Sequence, residues 1–211
     1  MNVTDKISVN TQSSIRIDGG SVIRFDPWKI EGEPHDAAAV FLTHEHHDHF
    51  SEEDLAKVSS SDTIVVAPES MKKVLAGAGI PAEKCVFVNP GDKLTVAGLE
   101  AMAVPAYNRL KPFHPMHSAW VGYIVEIDGE KVYIAGDTDG LDENAGLDID
   151  VAMIPIGGKF TMDAAEAAEF INKMRPKVAV PIHFGNVLGS ENAAEAFENA
   201  VDEGIEVVFK L

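Results

Sequence analysis

Apolar positions along this chain come in short runs, some strictly alternating and some continuous. "SSIRIDGGSVIRFDPW" (13–28) alternates on either side of Gly19-Gly20, which predicts a β-hairpin, and "WVGYIVEIDGEKVYIAGD" (120–137) repeats the pattern about Asp128-Gly129. "AAAVFLTH" (37–44), "DTIVVAP" (62–68), "DIDVAMIPIGG" (148–158) and "KVAVPIHFG" (177–185) carry continuous apolar runs and predict strands, that at 37–44 buried on both faces. "CVFV", "KLTVAG", "LEAMAVPA" and the closing "GIEVVFKL" complete the predicted strands. Four helices fall between them. "SEEDLAKVSS" (51–60) opens on Ser51 with Asp54 three residues later, in the manner of a capping box. "ESMKKVLAGAGI" (69–80) is stopped by glycine, "TMDAAEAAEFINKM" (161–174) is capped by Thr161, and "SENAAEAFENAV" (190–201) precedes the last strand. Both halves run from hairpin strands into strand–helix units. This predicts an α+β domain spanning 1–211, with two sheets packed together and helices outside.

Composition narrows the picture. The chain has 211 residues, 45% of them hydrophobic, enough for one sizeable core. No apolar stretch is long enough to span a bilayer, and "MNVTDKISVN" lacks the basic-then-apolar pattern of a signal peptide. Cys85 is the only cysteine, so no intrachain disulfide is available, and a cytoplasmic location is expected. Within "KCVFV" it reads as a buried apolar thiol. The net charge of −17 argues against nucleic acid as a partner, which calls for a basic footprint. A small-molecule substrate, even an anionic one, remains compatible, because a bound metal reverses the local field. A homo-oligomer is equally compatible.

The polar residues that interrupt the apolar runs do not scatter. "LTHEHHDHF" (42–50) holds four of the eight histidines just past the end of a predicted strand. Asp137 ends another strand in "YIAGDTD", and His183 a third in "AVPIHFG". Imidazole and carboxylate suit borderline-soft divalent ions, and His44, His46, Asp48, His49, Asp137 and His183 are too many ligands for one tetrahedral ion but suit two.

"THEHHDH", "GDTD" and "PIHFG", in this order and at strand ends, resemble the metallo-β-lactamase fold superfamily along essentially the whole chain. "VPAYNRLKPFHPMHSAWVGYIVEIDG" and "PIGGKFTMDAAEAA" further resemble a group of small, stand-alone metal-dependent hydrolases similar to the bacterial ascorbate-6-phosphate lactonases. The resemblance implies a four-layer αββα sandwich of two mixed sheets. It implies two divalent ions, zinc first, with manganese or iron as alternatives. His44 and His46 then serve the first ion, Asp48 and His49 the second. Asp137 bridges both, His183 completes the second, and Glu45 and His47 point away. Asp26, in "VIRFDP", supports the site by holding a ligand imidazole's other N–H, the alternative being a turn cap before Pro27.

The sequence departs from the family where the first metal's third histidine is expected, after "AMAVPA". Tyr107 and Asn108 stand there, and histidine appears only at His114 and His117. Three readings stay open: His114 reaches back to the metal, Asn108 or Tyr107 supplies an oxygen, or the first site is loosely held. His114 is preferred, because Pro115 restricts the backbone before it, and His117 is read as surface or rim. The implied chemistry is hydrolysis by a metal-activated water of a small ester, lactone or phosphodiester, with Asp48 relaying a proton and Asp137 essential. Iron-dependent oxidation, or a sensor without turnover, are the alternatives. Asn108, Arg109 and Lys159, with Lys111, are candidate substrate contacts, set against an ordinary surface role. Tyr107, Phe113 and Trp120 are candidates for pocket wall or core, and Gly157-Gly158 ahead of a helix is a weak anion signal.

Overall fold

The computed structural model describes residues 2–185 and 192–211. Its strands form two sheets, each with strand order equal to chain order. The first contains β1 (Ile7–Thr11), β2 (Ser14–Asp18), β3 (Val22–Phe25), β4 (Ala37–Phe41), β5 (Ser59–Pro68) and β6 (Cys85–Val88). The second contains β7 (Lys93–Val96), β8 (Leu99–Pro105), β9 (Val121–Ile127), β10 (Glu130–Ile134), β11 (Val151–Pro155), β12 (Val178–Ile182) and β13 (Glu206–Val207). β1, β2 and β3 pair antiparallel, and β3 through β6 parallel. In the second sheet β7 through β10 pair antiparallel and β10 through β13 parallel. Both sheets are therefore mixed, as expected.

Alternation explains the layers. In β10, Val132 and Ile134 enter one apolar cluster while Tyr133 enters another, and β11 divides Val151 and Met153 from Ala152 and Ile154 in the same way. The shared cluster also takes Ile15, Ile17, Phe25 and Phe41 from the first sheet, so it lies between the sheets. The outer face of the first sheet packs Val40, Leu42 and Val65 against Leu55 of α1 (Glu52–Val58) and Leu75 of α2 (Lys72–Gly77). The outer face of the second packs against Phe170 and Ile171 of α4 (Ala164–Met174) and Phe197 of α5 (Ala193–Ala200). A strand buried on both faces is apolar throughout, which is why these runs read as continuous.

Several local expectations change. β1 and the single-turn α3 (Asp142–Ala145) have no counterpart in the sequence reading, and the closing strand shrinks to Glu206–Val207. The cap of α4 is Asp163 rather than Thr161: its side chain accepts from Glu166 N at 2.9 Å, while Glu166 accepts from Asp163 N at 3.0 Å. Residues 190–191 of the last predicted helix lie outside the described residues. Ser51 caps α1, but Asp54 turns away to accept Lys29 N and Ile30 N at 2.8 and 3.0 Å, tying down the loop after β3. Cys85 is only partly buried; its thiol donates to Pro81 O, and desolvation, aided by Glu83, raises its pKa. No helix of the described residues is long and apolar enough to cross a membrane.

Candidate metal centre

The C-terminal ends of β3, β4, β10 and β12 point to the same end of the two sheets, and the polar residues follow directly. Asp26 follows β3, His44 lies three residues past β4, Asp137 three past β10, and His183 one past β12. The chain from β4 crosses between the sheets here. Leu42 N donates to Val66 O of the first sheet, while Thr43 O accepts from Val121 N and Leu42 O from the Tyr123 hydroxyl, both of the second. His114 arrives from the long loop between β8 and β9.

Three sets of ligand atoms converge within 4.8 Å: His44, His46 and His114; His44, His49 and Asp137; and Asp48, His49 and His183. His44 Nε2 and His46 Nδ1 are 3.1 Å apart, as are His46 Nδ1 and His114 Nε2. His49 Nε2 and His183 Nε2 are 3.2 Å apart, with Asp48 Oδ2 at 3.3 Å from His183. Tetrahedral zinc with ligands at 2.0–2.1 Å places its donors about 3.3 Å apart, so these separations fit a cation. Asp137 sets Oδ2 at 3.2 Å from His114 Nε2 and Oδ1 at 3.3 and 3.4 Å from His49 and His183. That Oδ1 is buried without a hydrogen-bond partner among the described residues, the state of a carboxylate oxygen meant for an ion.

Behind the ligands, Asp26 is fully buried. Its Oδ1 accepts Thr43 N at 2.8 Å, and its Oδ2 accepts both the Thr43 hydroxyl at 2.6 Å and His49 Nδ1 at 2.7 Å. The Thr43 hydroxyl, having given its proton to Asp26, faces His44 Nδ1 at 3.0 Å as an acceptor. Both imidazoles thus carry a proton on Nδ1 and turn Nε2 inward. Trp120 packs on the far side, its ring 4.8 and 4.9 Å from those of His44 and His46.

Burial, reinforced by His49, holds the His44 imidazole well below its ordinary pKa. Burial would do the same to His49, but the carboxylates of Asp137 and Asp26 outweigh it and raise that ring well above. Burial pushes Asp48 up, yet the hydrogen bond with His183 and the charge of His49 bring it down to about 2. Asp137 is likewise held well below the carboxylate range, against its burial, by His183 and His49. Asp48 and Asp137 are therefore ionised at neutral pH. Three ligand-side residues adopt left-handed backbone: Asp26 (φ 44°), His114 (φ 56°) and His183 (φ 54°). Such strain costs about 1–3 kcal/mol per residue and persists only where the surroundings impose it.

Ligand side chains open into a cavity of about 320 Å³. Its floor is His46, Asp48, His114, Asp137 and His183; its walls are Trp28, Phe113 and Phe160, with Gln12 and His47 completing the lining. Here the structure corrects several sequence readings. His47 belongs to none of the converging sets, but it does not leave the pocket: its ring meets Trp28 edge-on at the mouth. Arg109 and Lys111 face a separate hollow, where Arg109 pairs with Asp142 at 3.2 Å and Lys111 with Asp139 and Glu166. Lys159 sits over the Phe160 ring at 4.9 Å and does not line the cavity. Asn108 lies behind His114, its amide given to the carbonyls of Phe113 and Phe160, and the Tyr107 hydroxyl donates to Glu143. Asn108 meets the His114 ring through Nδ2, 3.3 Å from Nδ1. Gln12, Thr43 and Trp28 escaped the sequence reading altogether; only Thr43, adjoining His44, carried any local signal.

Comparison with known proteins accords with this geometry. Residues 7–184 match the beta-lactamase superfamily domain. A UPF0173 metal-dependent hydrolase of Methanosphaerula palustris is 30% identical over 198 residues, covering 89% of this chain and 87% of that protein. A crystal structure from Parabacteroides distasonis, provisionally assigned as a metal-dependent hydrolase, superposes with a TM-score of 0.83 at 30% identity, covering 97% of this chain and 92% of the other. Igni18, described as a metallo hydrolase from Ignicoccus hospitalis, shares the fold with a TM-score of 0.77 at 23% identity over 96% of this chain and 93% of that one. The chain belongs to the beta-lactamase superfamily, among the relatives named UPF0173 metal-dependent hydrolases.

Proposed function

We propose that this chain is a hydrolase that holds two divalent ions, zinc first among them, and cleaves a small ester, lactone or phosphodiester. The observation that carries the reading is the convergence of two separate ligand triads around a buried, unpartnered Asp137 Oδ1. His44, His46 and His114 would hold one ion and Asp48, His49 and His183 the other, with one Asp137 oxygen turned to each. Bound there, such ions would supply a water of lowered pKa, about 7, and polarise the oxygen of the scissile group.

The chain's own residues do the rest. Asp26 and Thr43 hold a proton on Nδ1 of His49 and His44, which leaves Nε2 as the nitrogen each ring would offer to a metal. Asp48, which lines the cavity, accepts the proton of the attacking water and returns it to the leaving oxygen. The aromatic walls exclude bulk water from the reacting atoms. A small-molecule substrate, no nucleic-acid partner and a cytoplasmic setting belong to the same reading; the net charge of −17 supports the second of these.

Metal analysis of protein purified without added metal, followed by competition titration with a chromophoric chelator, tests it. Two equivalents of zinc, lost with turnover in Asp137→Ala, are expected. Failure to retain any divalent ion would overturn the reading. Iron in place of zinc, with oxygen-dependent turnover, would replace hydrolysis by oxidation.

A further inference from the structure

The lining of the cavity above the candidate metal centre bears on which substrate it suits, since the sequence left an anionic one open. Among the described residues, none that lines it is lysine or arginine. Of the cations that the sequence offered, Arg109 pairs with Asp142 and Lys111 with Asp139 and Glu166, while Lys159 lies over the Phe160 ring at 4.9 Å, outside the lining. What the lining supplies above the ligands is Trp28, Phe113 and Phe160, with the Phe113 and Phe160 rings edge to face at 4.7 Å.

Besides Asp137, two polar side chains in that lining carry a buried atom without a partner among the described residues: His183 at Nδ1, within the converging sets, and Gln12, outside them. Gln12 is 5% exposed, and its Oε1 is buried with no hydrogen-bond partner among the described residues. A buried carboxamide oxygen left unpaired costs about 1–3 kcal/mol, so it ordinarily finds a partner. Its backbone is also strained. Gln12 has φ 48°, in the turn between β1 and β2, and its carbonyl accepts His183 N at 3.1 Å. The turn thereby holds Gln12 at the edge of the ligand set.

We propose that Gln12 is a substrate-recognition residue, and that the pocket takes an uncharged carboxyl ester or lactone bearing an aromatic or other flat apolar group and an N–H or O–H donor. Trp28, Phe113 and Phe160 hold the apolar group, and Gln12 Oε1 accepts the donor. The proposal rests on the hydrolase reading for the bond that is cleaved, but the pocket chemistry stands apart from it. In the cleavage a water oxygen bonds to the acyl carbon and the acyl C–O bond breaks. The departing oxygen takes a proton, leaving a carboxylic acid and an alcohol. A phosphodiester, whose charge no lysine or arginine among the described lining residues would meet, is disfavoured.

The test uses zinc-loaded protein and a matched pair of esters. Methyl N-benzoylglycinate carries a phenyl ring and an N–H; methyl 3-benzoylpropanoate replaces that N–H by CH2. Bis(4-nitrophenyl) phosphate is the anionic control. The wild type is expected to prefer the glycinate by about tenfold in kcat/KM, the worth of one buried hydrogen bond. Gln12→Ala should lose that preference by slowing the glycinate alone. Gln12→Asn, which tolerates left-handed backbone but is one methylene shorter, should do the same and covers the case where the alanine variant fails to fold. No preference in the wild type, a preference kept in both variants, or a faster phosphodiester would overturn the proposal while leaving the hydrolase reading intact. If no ester or diester is turned over, the hydrolase reading fails, and binding decides the pocket. Saturable quenching of tryptophan fluorescence by N-benzoylglycinamide, weakened about tenfold by Gln12→Ala or Gln12→Asn, would sustain the assignment. Absence of quenching at millimolar ligand would overturn it.

Discussion

Replacing Asp26 by asparagine should disable the metal centre without touching a ligand. The carboxylate accepts three hydrogen bonds, from Thr43 N at 2.8 Å, the Thr43 hydroxyl at 2.6 Å and His49 Nδ1 at 2.7 Å. In Asp26→Asn the oxygen can still accept Thr43 N, but an NH2 group replaces Oδ2 and must donate. It donates to His49 Nδ1, which drives that ring's proton onto Nε2, the atom facing His183. It also donates to the Thr43 hydroxyl, whose own proton then turns to His44 Nδ1 and moves the second ring's proton to Nε2. Both changes oppose metal binding. Loss of a partner behind a ligating imidazole typically costs 10–100-fold in metal affinity. The variant should therefore bind each ion at least about tenfold more weakly. Asp26→Ala is the contrasting case. It strands buried donors at about 1–3 kcal/mol each and should lower the thermal stability of the metal-free chain as well. Competition titration with a chromophoric zinc chelator, with metal-free melting curves for both variants, separates the two effects. Unchanged affinity at both sites in a folded Asp26→Asn protein would refute the tautomer argument.

Three further outcomes are expected. His114→Ala should lower zinc stoichiometry from two towards one after dialysis, while His117→Ala and Asn108→Ala retain two; equal retention in all three would remove His114 from the ligand set. Gly122→Ala should destabilise the fold by about 1–3 kcal/mol in thermal unfolding, because an added Cβ would lie 2.6 Å from Ala135 O and 2.7 Å from Ile134 O, both backbone atoms that cannot yield; an unchanged melting temperature would contradict it. Asp36 is lowered against partial burial by Arg24, which it meets at 2.9 and 3.0 Å, and by Arg16. Its folded pKa lies below its unfolded value near 3.9, so its contribution, about 1 kcal/mol, is present above pH 4 and lost as pH falls through the folded value. The melting temperatures of wild type and Asp36→Asn should differ at pH 7 and converge below pH 4; a constant gap would show that the pairing does not carry the difference.

What could be read from the sequence, and what could not, divides along a physical line. Strands buried on two faces leave continuous apolar runs, so β4, β11 and β12 were legible together with their terminal His44 and His183. β1 was not, because five residues beside a short 3-10 turn carry too little pattern, and α3 is one turn long. His49 and Asp137 were legible as candidate ligands because imidazole and carboxylate groups past strand ends show in residue type and place, whereas Asp26 was read as a support only through the resemblance. Arg109 and Lys111 misled for the opposite reason. A cation's availability depends on which carboxylates the fold brings beside it, and Asp139, Asp142 and Glu166 lie far along the chain.

The same line separates the two halves of the site. The metal half depends on which groups are present, and a short motif records that. The substrate half depends on which groups the folded chain leaves without partners, and no motif records an unpaired oxygen. Gln12 sits in an ordinary polar turn, "NTQSS", with nothing in its neighbourhood to mark it. It acquires meaning only when the β1–β2 turn carries it against the aromatic wall and its backbone clamps His183. Two chains with the same ligand motif can therefore differ completely in substrate through a single turn residue. Specificity within this fold is better sought among buried, unsatisfied side chains around the cavity than among the histidines beneath it.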